Sequence, residues 1–97
     1  MISPKIRGEL SRVGYNGFPN YIDILNFFTS KGFVIEVTLH KAEYVTNTGT
    51  YNFTWKVKIL YLKIDTIYQI NEEGDYIEGD IYSAWDYAFL TICKVHE

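Results

Sequence analysis

One cysteine, two prolines, one methionine and two histidines in 97 residues leave little material for several kinds of chemistry. A lone Cys93 cannot close an internal disulfide, and a chain without one reads as a protein of a reducing cytoplasm. Its neighbours Phe89, Leu90 and Ile92 mark it as a buried thiol that behaves as a small hydrophobe. A structural zinc site needs about four nitrogen or sulfur ligands; His40, His96 and Cys93 are the whole supply, and neither histidine has a His or Cys at ligand spacing. No apolar run approaches the ~18 residues of a membrane span. The segment Met1–Leu10 is broken by Pro4, Lys5, Arg7 and Glu9, so it does not read as a secretory signal. Nucleophilic catalysis needs a base within reach of the nucleophile and a third group to orient it. Ser3, Ser11 and Ser30 lie near no histidine, and Ser83 reads as a helix cap. The acids Glu72, Glu73, Asp75, Glu78 and Asp80 lack the spacing of a calcium loop. The expectation is a protein without catalytic residues, metal or cofactor.

What the chain has in abundance is apolar and aromatic surface: 47% of residues are hydrophobic and 18% aromatic, with nine tyrosines. That composition folds into a packed core, and this length makes one domain, residues 1–97. Tyrosines in excess of what a small core uses suit an interface, so a homo-oligomer is expected, most simply a symmetric dimer. The net charge of −3 conceals a split. Residues 1–63 carry eight Lys/Arg against four acids, whereas residues 64–97 carry Lys94 against eight.

Tyr51, Phe53, Trp55, Val57, Ile59 and Tyr61 occupy every second position, with Asn52, Thr54, Lys56 and Lys58 between them. Side chains alternate across a strand, so the segment 51–61 is a strand with one oily face, Trp55 included, and one solvated face. Such a strand requires a sheet beside it and a covering layer. Upstream, Phe33, Ile35, Val37 and Leu39 alternate in the same way, then the parity slips to Ala42 and Tyr44, which predicts a bulge near His40–Lys41. Thr46–Thr50 has the composition of a hairpin turn. After Tyr61 the apolar positions move to Leu60, Leu62 and Ile64, which predicts a twist, bulge or break near Leu62. A strand over 66–70, a turn over 71–75 and a short strand over 76–79 follow.

Two helices complete the expectation. Asn20 is a good N-cap for a helix from Tyr21 to about Lys31, with Asp23 in its first turn and Gly32 as its left-handed stop. Ser83 caps the second, whose stripe is Trp85, Ala88, Phe89 and Ile92. Residues 1–20, punctuated by Pro4, Gly8, Gly14, Gly17 and Pro19, read as irregular, with at most a short edge strand near Lys5–Val13. The fold class is therefore α+β: one antiparallel sheet of about four strands, helices packed on its oily face, in the order α-β-β-β-β-α.

One stretch has a positive argument for ligand binding. In the turn 14–20, glycines free the backbone N–H groups, and the helix N-terminus that follows favours an anion. Arg7 and Arg12 lie just upstream, and Tyr15 and Phe18 offer rings for stacking. Arg7, Arg12, Gly14, Tyr15, Asn16 and Gly17 are thus candidates to hold a small anionic ligand such as a nucleotide. No Gly-Lys-Ser/Thr follows, so this is not a P-loop. The alternative is an acidic surface, Glu72, Glu73, Asp75, Glu78 and Asp80, that occupies a basic site on a host protein. A third reading places nucleic acid on Lys56 and Lys58; the acidic net charge and the inward aromatics oppose it.

Pro19-Asn20-Tyr21-Ile22-Asp23-Ile24-Leu25 running through Lys31 into Phe33–Val37, and Tyr76-Ile77-Glu78-Gly79 before a helix containing Ala88, resemble small accessory proteins of unknown function encoded by phages and mobile elements of gut bacteria. The resemblance implies an accessory role in the host-cell cytoplasm, directed against host defence, and no particular chemistry.

Overall fold

The computed structural model describes residues 4–17, 20–71 and 74–95. It is organised around one long hairpin. Strand β1 (Phe33–Val45) pairs antiparallel with β2 (Thr50–Lys63) from Phe33 opposite Tyr61 to Val45 opposite Thr50. Fourteen strand residues at ~3.3 Å each span about 46 Å, so this hairpin sets the 47 Å long dimension of the protein. The register shifts between Leu39 and Lys41, with His40 as the extra residue. That bulge is where the parity slip places it, and it returns Ala42 and Tyr44 to the face of Phe53 and Tyr51.

The opposite edge of β2 is shared by two short strands. β3 (Thr66–Gln69) pairs with residues 60–63 and β4 (Asp75–Glu78) with residues 54–57. Between them the chain leaves the ladder, and the side chain of Asn71 takes its place. Asn71 Oδ1 accepts from Ile59 N at 2.9 Å, and Nδ2 donates to Val57 O at 2.7 Å. Expected disruption at Leu62 does not occur. The strand runs on to Lys63 with Leu62 opposite Ile67, because Leu60 and Leu62 simply belong to the face away from the helices.

Three helices accompany the four strands among the described residues: α1 (Pro4–Arg12), α2 (Tyr21–Ser30) and α3 (Ile81–Val95). The architecture is α+β with a single antiparallel sheet, as expected, but the order gains a helix at its start. α1 corrects the irregular reading of residues 1–20. Pro4 is its first residue, where a missing N–H costs nothing. Gly8 is exposed and a Cβ there would meet nothing within 4 Å, so it is tolerated rather than required. Ile6 and Leu10, one turn apart, are both 2% exposed.

α2 begins as its sequence indicates, with Asp23 N donating to Asn20 Oδ1 at 2.9 Å. Gly32, at φ 92°, lets the chain pass so close to β2 that a Cβ would lie 2.8 Å from Leu62 O. α3 starts three residues earlier than a Ser83 cap implies. Asp80 is the cap: its Oδ1 accepts from Ser83 N at 2.9 Å and from Ser83 Oγ at 3.2 Å. Ala84, Ala88, Phe89, Ile92 and Cys93 form the buried face of α3, which meets Ile24 and Phe28 of α2 and Val57 and Ile59 of β2 in the core. α1 packs on α3 rather than on the sheet.

The helical layer covers only the root of the hairpin. Val57 and Ile59 are fully buried, whereas Leu39, Tyr44 and Tyr51 on the same face are 53%, 54% and 60% exposed. Trp55 stands at the margin, half-buried, with its Nε1 donating to Gly79 O at 2.9 Å. The inward position expected for Trp55 therefore holds for the side of the sheet and not for its burial.

One local strain is testable. Lys63 pairs with Thr66, which leaves a two-residue turn in which Ile64 holds φ 55° and is 93% exposed. A side chain in the left-handed region costs roughly 1–2 kcal/mol, and this one buries almost nothing in return. Ile64→Gly is expected to raise the melting temperature by about 4–8 °C, the equivalent of ~1 kcal/mol in a domain this size. Calorimetry showing an unchanged or lower Tm would mean that the turn is not strained.

Candidate functional site

α1 ends in a tight left-handed stop that positions the candidate residues. Tyr15 N donates to Leu10 O at 2.9 Å and Gly14 N to Ser11 O at 3.1 Å, with Gly14 at φ 96°. This pair of bonds is the Schellman pattern, which also brings the residue after the glycine onto the last helical turn. Gly14 is thus a helix terminator, and it lines no cleft with the others.

Folded back in this way, Tyr15 is 9% exposed and sets its ring edge-on against Phe27, centroids 5.2 Å apart. Gly17 lies so near that a Cβ would sit 2.8 Å from the tyrosine hydroxyl. Arg7 and Ser11, four residues apart, share one flank of α1. Together Arg7, Leu10, Ser11, Tyr15, Asn16 and Gly17 line a concavity of about 310 Å³. Four of the six residues singled out from the sequence converge here. Leu10 and Ser11 were missed, although the helical period from Arg7 would have found Ser11 had α1 been recognised.

Arg12 goes elsewhere. It lies on the opposite flank of α1, donates to Glu9 Oε2 at 2.6 Å and to Cys93 O at 3.2 Å, and so ties α1 to the end of α3. With Lys5, Glu9, Leu90 and Lys94 it lines a second depression of about 290 Å³.

The anion argument also loses its helix terminus. Asp23 already occupies the first turn of α2, and its carboxylate accepts from Asn20 Nδ2 at 2.7 Å. Burial, and then the Asp23 charge, push the Tyr15 hydroxyl above its ordinary pKa. Arg7 is the cation of the cleft. Among the described residues its side chain makes no hydrogen bond or ion pair, so its guanidinium is available.

The acidic candidates are dispersed. Asp75 accepts from Tyr87 Oη at 2.5 Å and from Asn71 Nδ2 at 3.1 Å. Asp80 caps α3. Glu78 is exposed on β4, while Glu72 and Glu73 lie outside the described residues, as do Phe18 and His96. Lys56 and Lys58 project from the face away from the helices, where Lys58 stands opposite Glu36, and Lys56 sits over the Tyr76 ring at 5.9 Å. The His40 ring also packs against Tyr76, with centroids 4.5 Å apart.

Among the described residues no three His, Cys, Asp or Glu side chains converge to hold a metal ion. Cys93 is fully buried, and desolvation, with Glu9 adding to it and Arg12 opposing, pushes its thiol up to about 11. The thiolate that reacts and ligates metals is thereby suppressed. No described helix is long and apolar enough to cross a membrane. No protein-family model matches the chain, and no curated protein or solved structure is detectably similar to it.

Proposed function

We propose that this chain is a non-catalytic binding protein that sequesters a small anionic ligand of nucleotide type in the cleft beside α1. The observation that carries the reading is the unpartnered guanidinium of Arg7 at the rim of a concavity floored by Leu10 and the Tyr15 ring. Arg7 supplies a planar fork for a phosphate or carboxylate. Ser11, Asn16 and the Gly17 backbone supply the neutral hydrogen-bonding groups that orient a ligand in such sites, and the cleft volume falls at the small end of the usual range. Withdrawal of a nucleotide signal from the host cytoplasm is the role this binding would serve in an accessory counter-defence protein.

Titration calorimetry with adenosine monophosphate and with a cyclic dinucleotide tests this. Hydrogen bonds to charged groups are worth ~1.5–3 kcal/mol, so Arg7→Ala is expected to weaken binding by about ten- to a hundredfold. Arg12→Ala is expected to leave nucleotide affinity unchanged, because Arg12 faces the other flank of α1. A wild type that binds neither nucleotide, or an Arg7→Ala protein that binds as well as wild type, would sink the proposal.

A further inference from the structure

The uncovered half of the hairpin does not stand free; it meets the beginnings of two helices. β4 runs antiparallel to β2 from Asp75 opposite Val57 to Glu78 opposite Thr54, so α3 starts beside Phe53 and Trp55. α2 starts at the same place: the Tyr21 ring lies 4.8 Å from Tyr82 and 5.6 Å from Trp85 in the first turns of α3. The result is a corner between the hairpin and the helix ends. On the hairpin side, Tyr51, Asn52, Phe53, Glu78, Gly79 and Asp80 line a cleft of about 530 Å³. On the helix side, Asn20, Tyr21, Ile22, Asp23, Tyr82 and Trp85 line one of about 550 Å³. Ile22 is 70% and Tyr82 50% exposed, so the helix wall is as open as the hairpin floor.

We propose that this corner docks a basic, extended polypeptide segment, its arginine or lysine side chains resting on the Tyr51, Phe53, Tyr82 and Trp85 rings. Charge selects the occupant. The residues lining the two clefts include Asp23, Glu78 and Asp80 and no lysine or arginine. Asp86 adds a further carboxylate behind Tyr21, whose hydroxyl donates to it at 2.8 Å. A second copy docked symmetrically would set these carboxylates against their own equivalents, and an acidic peptide would bring like charge to the same place. A guanidinium over a ring face gains from the ring quadrupole as well as from the carboxylates.

The backbone provides a seat for an extended segment. Gly79 N donates to Phe53 O at 3.0 Å, and there the pairing on that edge of β2 ends. Residues 50–52 of β2 have no described partner strand on this side, so a segment in line with β4 can continue the ladder. Ladder bonds would then set its direction, and alternate side chains would face the aromatic floor.

The probe is a fluorescein-labelled hexapeptide of alternating arginine and valine, compared with the same peptide carrying glutamate for arginine. Anisotropy is expected to show binding of the arginine peptide that weakens as salt rises, and none of the glutamate peptide. Trp55 and Trp85, the two tryptophans of the chain, both border the corner, so their emission should shift on binding. Tyr82→Ser and Glu78→Lys, both on exposed side chains, are each expected to weaken binding about tenfold. Arg7→Ala should leave peptide affinity unchanged, which separates this site from the cleft beside α1. Failure of the arginine peptide to bind, equal binding of both peptides, or full affinity in the two corner variants would overturn the proposal. So would a concentration-dependent dimer that Tyr82→Ser abolishes, since the corner would then be an interface between copies of the chain.

Discussion

Asn71→Ala is expected to lower stability by about 2–3 kcal/mol, more than a surface asparagine has any reason to cost. The side chain supplies Ile59 N, in the gap between β3 and β4, with an acceptor that no strand offers, and gives Val57 O a second donor at the end of the β4 ladder. Val57 and Ile59 have no exposed surface; Asn71 Nδ2 donates to Val57 O at 2.7 Å, beside the β4 ladder pair Val57–Asp75, and Asn71 Oδ1 accepts from Ile59 N at 2.9 Å. A buried backbone group left without a partner costs ~1–3 kcal/mol; alanine leaves Ile59 N so, removes one hydrogen bond to Val57 O, and frees Asp75 from its 3.1 Å bond. Asn71→Asp separates the components. It keeps an acceptor for Ile59 N, removes the donor to Val57 O, and places a second carboxylate beside Asp75, so it should be as damaging at neutral pH and partly recover in acid. Urea unfolding should report these losses as lower midpoints at unchanged slope. An Asn71→Ala midpoint close to wild type would show that water replaces the amide at no cost.

Phe89→Ala is expected to be at least as severe, at ~3–5 kcal/mol, out of a total that for domains of this kind is ~5–15 kcal/mol. Phe89 is fully buried and its ring lies between Phe28, at 5.8 Å, and Tyr21, at 5.9 Å. It therefore joins α3 to α2 over the sheet, and the void left by its removal cannot be filled by a side chain from the exposed surface. Trp55→Ala is the instructive contrast. Trp55 is the larger ring, but it is half-buried at the end of the helical layer, and its loss should cost only about 1–2 kcal/mol, from partial burial and the bond to Gly79 O. Thermal melts of the two variants should differ by about 10–20 °C for a central difference of ~2.5 kcal/mol, by the usual relation of about 4–8 °C per kcal/mol. Similar melting temperatures would mean that the hairpin margin is packed as tightly as the core.

Features that depend on near neighbours in the chain were legible in the residues themselves. The period of two from Phe33 to Leu39 and from Tyr51 to Tyr61 specifies both strands and their apolar faces, since a one-residue error would turn every side chain over. The slip of parity after Leu39 locates the bulge at His40, and Asn20, Asp23 and Gly32 bracket α2, because caps act within one turn. At the candidate site, Arg7, Tyr15, Asn16 and Gly17 were legible as neighbours of one another. What tertiary structure decided is which surfaces those elements meet. α1 exists because Ile6 and Leu10 find α3 to pack against, and that burial outweighs the presence of Pro4 and Gly8. Arg12 left the site for the same reason: once its segment is helical, five residues from Arg7 carry it around to the flank that faces Cys93 O. Asn71 reads as a turn residue in any local view, and only the gap between β3 and β4 makes it a substitute for strand backbone. Alternation marks Tyr44, Tyr51, Phe53 and Val57 as one apolar face, but periodicity carries no information about how far a covering layer extends. The helices, 10 and 15 residues long at ~1.5 Å per residue, are shorter than the hairpin they cover, and that difference in length leaves the aromatic corner open.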